Sequence, residues 1–149
     1  MSPPGMSKFE PLYRATTYRL FLPGGNCDLR LDVRSETLAC WLETAGFDGF
    51  AILTAYNPGS LPRDEETNNA EQARLECDLL EAGFEPYVGE NIADDEDWPV
   101  EETCFVPGLP EALARELARR YGQNALVCGG EDGVPKLVWA ASEGLDRSA

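Results

Sequence analysis

The run Phe50-Ala51-Ile52-Leu53-Thr54-Ala55, closed by Tyr56-Asn57-Pro58-Gly59-Ser60, constrains this chain more than any other stretch. A short run, apolar apart from Thr54 and bounded by turn formers, suits a strand covered on both faces. Pro58 has no N–H and fixes its own φ, so the strand cannot run through it. Asn57 precedes a proline and is expected to be extended, while Gly59 is free to take a positive φ. The chain should therefore turn sharply and present Thr54, Asn57 and Ser60 near the C-terminal end of a central strand. Open α/β sheets place ligands at that edge. A plain turn closing a core strand accounts for the same residues.

The flanking segments can be read in chain order. Phe9 to Ala15 suits a short helix or lead-in. Thr17 to Leu22, the turn Pro23-Gly24-Gly25-Asn26, and the alternating segment Cys27 to Val33 predict an antiparallel hairpin at a sheet edge. That hairpin would gather Arg19, Arg30 and Arg34 as solvated charges. Ser35 can cap a helix with Leu38, Trp41, Leu42 and Ala45 inward and Gly46 at its end. A second helix starts at Asp64 or Thr67, with Ala70, Ala73, Cys77 and Leu80 as its stripe, Leu79 beside it, and Gly83 stopping it. Phe84 to Val88 predicts a strand with a bend at Gly89, and Cys104 to Val106 another. Pro110 opens a third helix with Leu113, Leu117 and Tyr121 inward; Ala125 to Cys128 and Lys136 to Ala140 complete the set. The order ββ-α-β-α-β-β-α-ββ predicts an α+β (mixed α/β) fold. It would be a single compact domain over 1–149, with a mixed, mostly antiparallel sheet of about six to seven strands and three main helices. Residues 1–10 and 142–149 are expected to be flexible tails.

Composition narrows the chemistry. The chain of 149 residues contains no histidine. Ser-His-Asp and Cys-His arrangements and His-bearing zinc sites are thereby excluded. A general base must be Asp, Glu, Tyr, Lys, Cys or a bound water. Cys27, Cys40, Cys77, Cys104 and Cys128 form no C-x-x-C pair and read as reduced, buried thiols. With no export signal, this predicts a cytoplasmic protein. No apolar run approaches the ~20 residues of a membrane span. No phosphate loop or dinucleotide fingerprint is present, and Asp94-Asp95-Glu96-Asp97 lacks the calcium-loop pattern, so no cofactor or metal is expected. The formal charge of -15, from 27 acidic and 12 basic residues, argues against direct binding to nucleic acid or to anionic membranes. It favours a basic protein partner or a well-solvated surface.

Candidate site residues follow from the turn. Asn68 and Asn69 fall in the first turn of the second helix, close in sequence to Asn57-Pro58. Amides, hydroxyls and a helix N-terminus together could hold a carboxylate or phosphate. Trp98 stands beside several carboxylates and could stack on a ligand or cover the core. The candidate ligand-binding set is Thr54, Asn57, Ser60, Asn68, Trp98 and Gln123, with Glu102 as the catalytic acid or base. Three readings stay open. The first is an enzyme or binding domain for a small polar ligand. The second is an acidic inhibitor, like a DNA mimic, that docks on a basic protein. The third is a structural domain whose Asn, Ser and Thr satisfy turn backbone.

The pieces Tyr18-Arg19, Leu53 to Ser60, Asn68 or Asn69 with Leu75, Gly83-Phe84, Gly89, Trp98 to Thr103, Tyr121 to Ala125 and Pro135 to Val138 resemble one family. It is the domain of unknown function 3293 family of small bacterial proteins. The Thr-Ala-x-Asn-Pro-Gly-Ser and Tyr-Gly-Gln-Asn-Ala pieces are the specific ones. The resemblance runs from about Tyr13 to Trp139. The family pattern usually has Trp or Phe where Tyr56 stands and Ser where Thr103 stands. The resemblance implies a shared fold and brings no assigned activity.

Overall fold

In the computed structural model, which describes residues 7–141, a single sheet runs through the molecule with helices on both faces. A 3-10 turn, Ser7–Phe9, leads into α1 (Glu10–Arg14). Then come β1 (Thr16–Leu22), β2 (Gly25–Leu29), α2 (Glu36–Ala45) and β3 (Gly49–Leu53). After a 3-10 turn at Pro58–Ser60 follow α3 (Glu65–Glu81), β4 (Tyr87–Ala93), β5 (Glu101–Pro107), α4 (Glu111–Arg120), β6 (Ala125–Gly130) and β7 (Lys136–Trp139). The seven strands lie in the order β2-β1-β4-β5-β3-β6-β7 and every pairing is antiparallel. The fold is thus a mixed α+β single domain. The outer parts of the expected tails, 1–6 and 142–149, lie outside the described residues.

Strand β3 is interior, and its alternation feeds two cores. Ala51 and Leu53 pack with Leu75 and Leu79 of α3 and Ala114 and Leu117 of α4. Phe50 and Ile52 pack on the opposite face with Leu38 and Leu42 of α2 and Tyr18 and Leu20 of β1. Tyr13 of α1 packs against this second cluster. Burying one Leu or Phe side chain stabilises by about 1.5–3 kcal/mol, so these two clusters supply the main driving force.

Several elements depart from expectation. The inward face of α3 is Asn68, Gln72, Leu75 and Leu79, whereas Ala70, Ala73, Cys77 and Leu80 face solvent. The cause is polar packing: two buried amides take positions that an apolar stripe would fill. Cys77 is accordingly exposed; Cys40 is exposed on α2, while Cys27, Cys104 and Cys128 are buried as expected. Gly89 does not bend the chain but lies inside β4. A Cβ there would come within 2.6 Å of the Arg19 carbonyl oxygen and 2.7 Å of Thr103 Oγ1, so only glycine leaves room for both. Strand β2 stops at Leu29. Arg19, Arg30 and Arg34 each engage a different carboxylate, on Asp28, Asp94 and Glu36.

Candidate functional site

The site begins where β3 ends. The last rung of the β3–β5 ladder is Leu53 opposite Cys104, so Glu101 to Thr103 run on past the end of their neighbour. Thr54 extends the junction with its side chain: its hydroxyl donates to the Glu102 carbonyl at 2.6 Å and accepts the Tyr56 N–H at 3.0 Å. The chain then turns at Asn57, which is left-handed (φ 46°, ψ 64°) rather than extended. That conformation is disfavoured before proline, but Asn tolerates it better than most residues. Its hydrogen bonds explain how it is held. Asn57 N–H donates to Asn68 Oδ1 at 2.9 Å, and Asn57 Oδ1 accepts from Arg63 N–H at 2.9 Å and Asn68 Nδ2 at 2.8 Å. Asn57 Nδ2 donates to Glu101 Oε2 at 2.6 Å.

The loop after α4 locks on to this turn. Gly59 N–H donates to the Gly122 carbonyl at 2.8 Å, Gln123 Nε2 to the Tyr56 carbonyl at 2.8 Å, and Asn124 Nδ2 to Ser60 Oγ at 3.0 Å. A Cβ on Gly122 would lie 2.9 Å from Pro58 Cβ, which shows how closely the two segments approach. The two most specific sequence pieces are therefore one structural unit.

Behind the turn, on the face that carries α1 and α2, lies a cavity of about 50 Å³. The sheet supplies Thr16, Tyr18, Ile52, Asn91, Glu101 and Thr103; α1 supplies Leu12 and Tyr13. Thr54, Tyr56, Asn57, Ser60, Trp98 and Gln123 complete its polar and aromatic rim. Five of the expected ligand-binding residues, Thr54, Asn57, Ser60, Trp98 and Gln123, thus meet at one cavity. Asn68 does not line it; it is 4% exposed and braces Asn57 and Arg63. Nor does the N-terminus of α3 stand open to an anion, because Asp64 caps it by accepting the Thr67 N–H at 2.9 Å.

The carboxylate at the cavity is Glu101, not Glu102. Along β5, Glu101, Thr103 and Phe105 share one face, and Glu102, Cys104 and Val106 the other, towards α3. Burial pushes the Glu101 carboxyl above its ordinary range, against hydrogen bonds from Asn57 and the Trp98 indole that favour the ionised form. Glu102 is raised by burial and by the carboxylates of Glu76 and Glu90. Burial likewise raises the phenols of Tyr13 and Tyr18. Two further polar groups escaped the sequence reading. Thr103 Oγ1 and Asn91 Oδ1 are buried at the cavity, and neither has a hydrogen-bond partner among the described residues. Asn91 sits opposite Glu101 in the β4–β5 ladder. It was hidden by the expected bend at Gly89, which ended β4 too early. Strand parity could not separate Glu101 from Glu102, because β5 is apolar on both faces beyond them. Among the described residues no cluster of three His, Cys, Asp or Glu side chains is placed to hold a metal. None of the described helices is long and apolar enough to cross a membrane.

The fold and site define a small α+β domain with a carboxylate-bearing cavity beside an interior strand. The model of a family described as a protein of unknown function (DUF3293) matches residues 53–126, and the chain resembles that family over this segment. The match runs from the end of β3 into β6, and within it lie Asn57, Asn91, Trp98, Glu101, Thr103 and Gln123. Tyr13 and Tyr18 lie outside it. No curated protein and no solved structure matches the chain.

Proposed function

We propose that the protein binds a small polar ligand in the cavity at the end of β3, with Glu101 as its charged anchor. One observation carries the reading: Thr103 is 1% exposed, yet its hydroxyl has no partner among the described residues and lines the cavity. A buried polar group left unpaired costs about 1–3 kcal/mol, and a ligand that pairs it recovers that energy. The braced turn and the Gly122 contact hold the rim in place, which limits the ordering needed on binding. A thermal-shift screen of small polar metabolites tests this. Stabilising compounds should lose their effect in Thr103→Val and Glu101→Gln. A panel without a single stabilising compound, or shifts unchanged in both variants, would overturn it.

A second reading, docking on a basic protein, has its own supporting observation. Glu76, Glu90 and Glu102 lie near enough for the charges of Glu76 and Glu90 to raise the Glu102 carboxyl. None of the three forms a salt bridge among the described residues. Capture of a basic partner that weakens as salt rises would support it. Capture indifferent to salt, or equal capture by a variant with all three changed to Gln, would refute it.

A further inference from the structure

Resting on that ligand reading, we propose that the cavity is built for a cation: a primary ammonium group on a short carbon chain. Its three N–H bonds would meet Glu101, Asn91 Oδ1 and Thr103 Oγ1. The sign of the charge comes from the lining. Among the described residues that line it, Glu101 is the only charged side chain, and no lysine or arginine joins it. An anionic ligand would therefore face a carboxylate with no compensating cation among the lining residues, against a buried floor where repulsion is less screened than at the surface. The guanidinium of Arg63, beside Asn57, is spent on Asn68 Oδ1 and the Ala55 carbonyl, and the two arginines whose charges reach Tyr18 are engaged as well. Arg14 pairs with Glu10 and Asp32, and Arg30 pairs with Asp94.

The donor pattern comes from the unpaired atoms. Asn91 Oδ1 can only accept, and a carboxylate only accepts; the Thr103 hydroxyl can do either. An ammonium offers three donors and no acceptor, which is the complement of this set. The register brings the three groups together. Asn91 and Glu101 are direct cross-strand partners, so their Cβ atoms lie about 5 Å apart. Thr103 is two residues further along the same face of β5, about 7 Å from Glu101. Gly89, opposite Thr103, adds no side chain to crowd that position.

The aromatic groups agree. Tyr13, Tyr18 and Trp98 line the same space, and ring faces attract cations. Size sets the last limit. A cavity of about 50 Å³ has room for a few water-sized groups, enough for an ammonium head and a short stem. The floor, with Thr103 and Tyr18, is buried, whereas Tyr56, Ser60 and Trp98 are part-exposed, so any longer tail would leave past these rim residues.

The test uses the full chain and a matched set of probes: propylammonium, propanol and propionate. Binding is read from the backbone amide shifts of Asn91, Glu101 and Thr103 and from the assigned indole N–H resonance of Trp98. Propylammonium should bind at least about tenfold more tightly than propanol, with propionate weakest. Glu101→Gln should weaken the amine about tenfold or more, and Asn91→Asp, which adds a second carboxylate, should strengthen it. Should Glu101→Gln prove unstable, Asn91→Asp still decides the matter, since a merely structural Asn91 predicts no gain. Propanol or propionate binding as tightly as the amine would overturn the cation assignment while leaving a polar-ligand site standing. If none of the three perturbs the cavity residues, the cation assignment falls, and the metabolite screen then decides separately whether any ligand site remains.

Discussion

At Asn57 a left-handed backbone (φ 46°, ψ 64°) is held directly in front of a proline. Strain of that kind costs on the order of 1–3 kcal/mol and persists only where the surroundings over-determine it. Here the side chain bonds to Arg63, Asn68 and Glu101, and the backbone N–H to Asn68. Alanine would keep the strain and lose the side-chain bonds. Asn57→Ala should therefore destabilise the fold by about 2–4 kcal/mol in urea unfolding, and a loss below about 0.5 kcal/mol would contradict this account. Glu101 should behave in the opposite way. Its folded pKa is raised, so below the ordinary carboxylate range both folded and unfolded chains hold the proton and no penalty exists. As pH rises, the unfolded chain ionises first, and stability declines until the folded pKa is passed. Tyr13, Tyr18 and Tyr56, the other titratable groups lining the cavity, are all raised and stay neutral throughout this window. Glu101→Gln should match the parent near pH 3.5 or so and become relatively more stable towards about pH 7, as urea midpoints would show. A variant less stable than the parent at neutral pH would mean that the charge supports the fold instead of serving a ligand. The sequence singles out Glu102, whereas Glu101 lines the cavity, because consecutive residues of a strand face opposite ways and nothing local says which way is in.

The elements were legible where capping and periodicity agreed. Ser35 accepts the Leu38 N–H at 3.1 Å at the start of α2, and Gly46 takes φ 85° at its end, as their residue types predict. The strand and helix order was readable for the same reason. In α3 the buried face was not legible. Gln72 Oε1 accepts the Ala55 N–H at 2.8 Å, and Asn68 holds Asn57, so tertiary hydrogen bonds rather than apolar periodicity decide which side turns inward. A pair of substitutions separates the two faces. Leu75 is fully buried and Leu80 is 59% exposed. Leu75→Ala should cost about 2–5 kcal/mol, as a cavity in a core does, while Leu80→Ala should stay within about 0.5 kcal/mol. Comparable losses at both positions, read from denaturant midpoints, would place the helix the wrong way round.

At the scale of the whole molecule the charge of -15 dominates. Net charge far from zero keeps a protein soluble and opposes its compact state through self-repulsion. The ten ion pairs among the described residues are largely surface pairs. Each such pair contributes only about 0–1 kcal/mol, and salt weakens it. Two effects therefore compete when salt is added: exposed pairs loosen, and repulsion among the unpaired carboxylates fades. The second acts over longer distances. Between about 0.01 M and about 0.15 M salt the screening length falls from about 30 Å to about 8 Å, from the span of a small domain to roughly twice a pairing distance. Long-range repulsion is removed over that interval, whereas pairs at 3–4 Å are only partly affected. The thermal midpoint should thus rise with sodium chloride over this range and flatten above it. A midpoint that falls from the first addition would show that the surface pairs outweigh the excess of acids, and the acidity would then need a reason other than solvation.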